Sequence, residues 1–148
     1  MILQFAEFIA TLAAGLFTGA AIYINRAEHP ARMECGTELA ATVFEPSYKR
    51  ASVMQVALAL VSTLAGFVSW IINGQLLWLV EAVAIISVIP FTLIFMMSTN
   101  KKLIDPDLDR KALMTKELLI RWGKLHAVRS ILGLVATLIF LYSSISTN

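Results

Sequence analysis

A chain of 148 residues that is 58% hydrophobic and only 15% charged, with a mean hydropathy of +0.76, lies outside the usual range of water-soluble globules. Its net charge of +2, with basic residues dispersed among acids, argues against a nucleic-acid partner. A single cysteine, Cys35, excludes an intrachain disulfide and any cysteine cluster for zinc or iron–sulfur, and leaves the redox compartment unread.

A bilayer core about 30 Å thick takes roughly 20 apolar residues in a helix. The first run of that kind is 2–24. It has no basic residue ahead of it and is longer than a signal peptide's apolar region, so it reads as a retained span. It contains Gly15-Leu16-Phe17-Thr18-Gly19, a GxxxG pattern that serves close helix packing or a homodimer face; within a four-helix chain the internal use is expected. The connection 25–50 follows. Pro30 is expected to hold His29 in an extended backbone, and 31–44 to form a short amphipathic helix ended by Glu45-Pro46.

The second span, 51–72, offers Ala59, Ser62, Gly66 and Ser69 at helical spacing as a small-residue packing face. Asn73-Gly74-Gln75 then leaves room only for a tight turn into the third span, 76–97. Pro90 inside that span removes a hydrogen bond and predicts a bend. In the connection 98–126, Asp105-Pro106-Asp107-Leu108-Asp109 reads as a turn, and 108–124 as a charged helix leading to the fourth span, 127–145. That span carries Ser130, Gly133 and Ala136 or Thr137 as its small face.

All twelve Lys and Arg residues lie in or beside the two long connections: Arg26, Arg32, Lys49 and Arg50 at the first, the other eight at the second. An even number of spans puts both connections on one side. The positive-inside bias makes that side cytoplasmic and both termini non-cytoplasmic. The expected architecture is an all-α transmembrane four-helix bundle in one domain, with short amphipathic helices capping its cytoplasmic face and the bilayer as its first partner.

Polar residues that break this pattern are the candidates for chemistry. Glu7 and Glu81 each sit about five residues inside a span, roughly 7–8 Å below the non-cytoplasmic surface. Carboxylates at that depth are costly and mark a proton relay or shared-proton pair, or else a snorkelling or helix-bonding role. At the other face, helical spacing puts Trp122, His126 and Arg129 on one side of the fourth helix. An aromatic wall, a titratable base and a fixed cation together suit a flat, acidic organic molecule. Tryptophan and arginine also anchor helices at headgroup level, which is the alternative use of the same residues. With no HxxxH or ExxH pair, no metal site is expected, and haem ligation by His29 and His126 has no supporting pattern.

Several segments together carry a resemblance. Gly19-Ala20-Ala21-Ile22-Tyr23 runs into Glu28-His29-Pro30-Ala31-Arg32. Pro46-Ser47-Tyr48-Lys49-Arg50, Ile89-Pro90-Phe91-Thr92 and Thr99-Asn100-Lys101-Lys102-Leu103 follow, and then Trp122 with His126 and Arg129. In this order they resemble the anthrone oxygenase-like family, small four-helix membrane proteins mostly of unassigned function. Its named fungal members oxidise a polyketide anthrone to an anthraquinone with molecular oxygen and no dedicated cofactor. The resemblance implies that Glu28, His29, Arg32, Tyr48, Arg50, Asn100, Trp122, His126 and Arg129 are family-pattern positions. A base that deprotonates an anthrone makes a carbanion able to reduce oxygen itself. The role falls first to His126, with Arg129 stabilising the anion and Trp122 as the aromatic wall. His29 is the second histidine of the site, and Arg32, Tyr48, Arg50 and Asn100 are candidates for binding substrate or its anion.

The expected function is therefore a membrane-embedded oxidoreductase or oxygenase acting on a hydrophobic, aromatic substrate without a metal cofactor. It requires a closed pocket of drug-like size near His126, between the third and fourth helices. The alternative is a non-catalytic accessory or scaffold subunit, in a homo-oligomer or membrane complex, whose Arg32, Lys49, Arg50 and Lys101 bind an anionic lipid headgroup or a partner. A small transporter built on Glu7 and Glu81 lacks the inverted, interrupted helices such proteins use.

Overall fold

A computed structural model of the chain describes residues 1–146. Four helical stretches, Ile2–Glu34, Thr37–Asn73, Leu76–Leu103 and Leu113–Ile145, are each long and apolar enough to cross a membrane. The protein is an all-α, four-helix, multi-pass membrane protein, and no strand occurs among the described residues. The first stretch comprises α1 (Ile2–Tyr23), a π-helical turn (Ile24–Glu28) and α2 (His29–Glu34). The second is α3 (Thr37–Asn73) alone. The third is divided into α4 (Leu76–Ile86), α5 (Val88–Phe91), a second π-helical turn (Thr92–Met96) and α6 (Met97–Leu103), and the fourth is α7 (Leu113–Ser146).

The helices form a ring: α1 lies against α3 and α7, and α4 against the same two from the other side. Small residues set how closely they approach. On α1 a stripe of Ala6, Ala10, Ala13, Ala14, Phe17 and Ala21 is buried, while Phe5, Phe8, Leu12 and Leu16 face outward. Outward leucine and phenylalanine cost nothing against hydrocarbon, so the usual sorting of apolar residues to the inside is relaxed here. Ala59, Ser62, Gly66 and Ser69 line the inner face of α3 as their spacing predicts. Ser62 also crosses to α1, donating its hydroxyl to the Ala10 carbonyl at 2.8 Å. Phe17, Trp78, Ile85, Ala136 and Phe140 fill the middle of the bundle.

The GxxxG pattern is not the packing device it resembles. Gly19 is exposed, and a Cβ built there meets nothing within 4 Å. Gly15 meets only Thr137 Cγ2, at 4.0 Å. Close approach falls to Gly133, where a Cβ would lie 2.9 Å from the Phe17 ring, and to Gly66, 3.1 Å from Phe140. Alanines already supply the contact stripe of α1, so Gly19 is free to face outward.

Three further expectations are corrected, each by local hydrogen bonding. His29 is helical, at φ −66° and ψ −46°, not extended. The π turn just before Pro30 shifts the hydrogen-bond register, so the ring enters the first turn of α2 where a missing N–H is tolerated. Nor does the helix end at Pro46, since α3 runs through it. Pro46 and Thr42 are both exposed, which leaves solvent to satisfy the carbonyl that proline cannot bond. The last helix begins at Leu113, not at 108. Asp105 and Asp109 turn their carboxylates onto the backbone N–H of Asp107 and Lys111, both at 3.0 Å, and hold 105–112 in turns.

Around Pro90 the third stretch loses regular α-helical bonding on both sides. The helix is interrupted at Ser87, near the Ile86 carbonyl that the Pro90 nitrogen would have bonded, and widens to π geometry at Thr92–Met96. Both long connections lie at one end of the bundle. There Ile24, Ala40, Ala41, Phe44, Met96, Leu103, Leu119 and Trp122 make a second apolar cluster, and a Lys111–Glu38 ion pair of 3.5 Å joins the two connections at the surface.

Candidate functional site

The site sits where the second apolar cluster meets the bundle. Trp122 and His126, one turn apart on α7, stack with centroids 4.7 Å apart and planes 29° from parallel. Phe44 of α3 meets the Trp122 ring edge-on at 5.2 Å, and the His29 ring approaches it at the same distance. The Arg32 guanidinium lies 5.8 Å from the indole centroid. Gly123 makes this approach possible, since a Cβ there would sit 2.6 Å from His29 Nε2. Glu28 ties the corner together, pairing with Arg32 at 3.2 Å and accepting from Ser47 at 2.6 Å.

His126 is 1% exposed and held by a network from the first helical stretch. Its Nδ1 lies 2.8 Å from Asn25 Oδ1. Asn25 donates through Nδ2 to the Gly123 carbonyl at 3.0 Å, and Ser130 Oγ donates to Asn25 Oδ1 at 2.6 Å. A carbonyl only accepts, so the Gly123 contact fixes the amide orientation and turns its oxygen toward the imidazole. Nδ1 must then carry the proton. In the neutral ring Nε2 is left as the lone-pair nitrogen.

Arg129, one turn further on, is 7% exposed and donates from Nη2 to Gln55 Oε1 at 2.8 Å. Its charge is otherwise answered by the Phe17 ring, 5.7 Å away. Among the described residues no carboxylate lies within ion-pair distance of it. Arg129 Nε, Gln55 Nε2, Arg32 Nε and Trp122 Nε1 are buried without hydrogen-bond partners. These four unpartnered donors, two of them on guanidinium groups, face the lone-pair Nε2 of His126 and the Tyr48 phenol in one cavity.

The space is smaller and differently placed than the sequence led us to expect. A cavity of about 20 Å³, enough for one water, is lined by Arg32, Tyr48, Gln55, Trp122, His126 and Arg129. Beside it, sharing Tyr48, Ser52, Gln55 and Arg129, is a slot of about 120 Å³ between α3 and the kinked third stretch. The space that His126 lines is therefore not the closed, drug-sized pocket expected between the third and fourth helices. The interrupted third helix leaves its gap toward the second instead.

Of the sequence-derived candidates, Trp122, His126, Arg129, His29, Arg32 and Tyr48 come together here. Asn100 is buried and reaches the group through Tyr48, donating from Nδ2 to the phenol oxygen at 3.3 Å. Arg50 lies apart: it is exposed and reaches back to the Pro46 carbonyl at 3.4 Å. Glu7 and Glu81 belong to the opposite half of the bundle and to separate partners. Glu7 accepts from Asn73 Nδ2 at 3.2 Å, whereas Glu81 is fully buried and accepts from Ser143. Among the described residues no three His, Cys, Asp or Glu side chains gather as a metal ligand set.

Sequence reasoning missed Asn25, Ser130 as a polar ligand, and Gln55. Gln55 had a readable signal, since it is the one amide within the second apolar run, and a lone polar group at membrane depth asks for a partner. Asn25 had none, because its role depends on a contact with the far end of the chain.

Residues 44–139 match the anthrone oxygenase family. The chain belongs to that family. No curated protein and no solved structure matches it. The matched segment carries Tyr48, Gln55, Asn100, Trp122, His126 and Arg129, whereas Asn25, His29 and Arg32 precede it. In this anthrone oxygenase family member His126 and Arg129 therefore fall inside the family segment, and the groups that hold them come partly from outside it.

Proposed function

We propose that the protein is a membrane-embedded oxygenase acting on a hydrophobic aromatic substrate that carries an acidic C–H or O–H group, with His126 as its base. The observation that carries this reading is the orientation of His126. Asn25 holds its Nδ1 proton and leaves Nε2 as the lone-pair nitrogen of a ring that lines the cavity shared with Arg129. A fixed cation that no carboxylate neutralises is suited to an oxyanion that forms only when the substrate loses its proton.

For an anthrone-like substrate the step balances with molecular oxygen as its one co-reactant. The methylene, seated beside Arg129, gives a proton to His126 Nε2 through the one-water cavity that the histidine lines, and becomes a delocalised carbanion whose charge rests on the oxygen facing Arg129. Molecular oxygen takes up the electron pair at that carbon, recovers the proton as a hydroperoxide, and loss of water leaves the new carbonyl. Arg32 and Trp122 support the aromatic wall. A headgroup-binding role is less favoured, because Arg32 is paired with Glu28, and Lys49 with Glu45 at 2.6 Å.

The test is oxygen uptake by purified protein in detergent with anthrone as substrate. His126→Gln should reduce it at least 100-fold while the protein stays monodisperse, in line with the usual contribution of a positioned base. Uptake by the variant equal to that of wild type would overturn the reading.

A further inference from the structure

We infer that substrate enters sideways from the bilayer, through the slot between α3 and the kinked third stretch, and that only its acidic, ring-sized end is enclosed by the protein. This deepens the function proposed above and rests on it. The slot is walled by Val88, Ile89, Thr92 and Met97 on one side and Ser52 and Val56 on the other, with Leu93 at its edge. Val56 and Leu93 are 41% and 56% exposed, on the surface that faces hydrocarbon. The inner end is polar and cationic. Gln55, 1% exposed, and Arg129 form it, and Gln55 Nε2 and Arg129 Nε are buried there with no partner.

An apolar mouth in hydrocarbon and an uncompensated guanidinium at the floor select a molecule that is apolar along its length and ionisable at one end. The size fixes how much enters. A volume of about 120 Å³ is near the roughly 150 Å³ of a dry cavity that holds one benzene ring. A polycyclic substrate therefore leaves its remaining rings in lipid. The slot lies beside the break where α4 ends at Ile86 and α5 restarts at Val88, the level at which Pro90 withholds a hydrogen bond.

The experiment is binding of 2-naphthol and of naphthalene to the detergent-solubilised full chain, by equilibrium dialysis. Wild type should bind 2-naphthol. Val56→Trp and Leu93→Trp, which fill the mouth from the lipid side, should each weaken it at least tenfold, while Ile71→Trp, equally lipid-facing on α3 but remote from the slot, should not. Arg129→Gln should weaken 2-naphthol at least tenfold and leave naphthalene within twofold. Unchanged affinity in both mouth variants, or no binding of either probe to wild type, overturns the inference. Slot-dependent binding combined with His126→Gln turnover equal to wild type would instead overturn the proposed chemistry and leave the entry route standing.

Discussion

Asn25 and His126 meet across 101 residues of sequence, amide oxygen to Nδ1 at 2.8 Å. The same amide donates to the Gly123 carbonyl one turn before the histidine, so one side chain grips α7 at two successive points. Asn25→Ala should release both. Nitrogen NMR of labelled histidine should show a single Nδ1-protonated tautomer for His126 in the wild type and a mixture in the variant. Asn25→Asp, which keeps an acceptor, should hold the tautomer. A mixture already present in the wild type would contradict the assignment.

Gln55 is the side-chain acceptor that answers the Arg129 charge. Gln55→Leu should destabilise the protein by about 1.5–3 kcal/mol, the worth of a hydrogen bond to a charged group. Adding Arg129→Leu should recover much of this, because replacing both members of a buried polar pair is often nearly neutral whereas orphaning one is not. Thermal unfolding in one detergent, run as a double-mutant cycle, reads the coupling.

Two glycines should behave in opposite ways. Gly133→Ala places a methyl 2.9 Å from the Phe17 ring and should cost about 1–3 kcal/mol as overpacking. Gly19→Ala meets open space on an exposed face and should be neutral or stabilise by about 0.5–1 kcal/mol through helix propensity. The same unfolding assay separates them. Equal losses at both positions would restore the GxxxG pattern as a packing motif.

Cys35 is the chain's only cysteine and is exposed between α2 and α3. It therefore reports the orientation inferred from the cations. A membrane-impermeant maleimide should label inside-out vesicles and leave right-side-out vesicles unlabelled. The reverse pattern would place both long connections outside.

The bundle was legible because hydrocarbon imposes a coarse rule: four long apolar runs, small faces at 59, 62, 66 and 69, and cations only at alternate connectors. Local breaks were not legible. Pro30 was read as holding His29 extended and Pro46 as ending a helix, each from its own chemistry, yet a π turn precedes the first and a solvent-facing carbonyl accommodates the second. For the site, the trio on α7 follows from helical spacing alone, whereas Asn25 and Gln55 depend on which helices become neighbours. The slot was least legible, since a proline predicts a disturbed helix and not the side on which a gap opens.

Asn25 comes from the first stretch to enter the membrane, and the imidazole it orients comes from the last. Neither half of this contact means anything by itself, so the orientation of the His126 ring is set only when both helices are in place. A nascent chain holds Asn25 long before His126 is made, and a chain clipped beyond Asn25 keeps the histidine without the group that aims it. The protein carries, in one hydrogen bond, a check that its first and last helices have found each other.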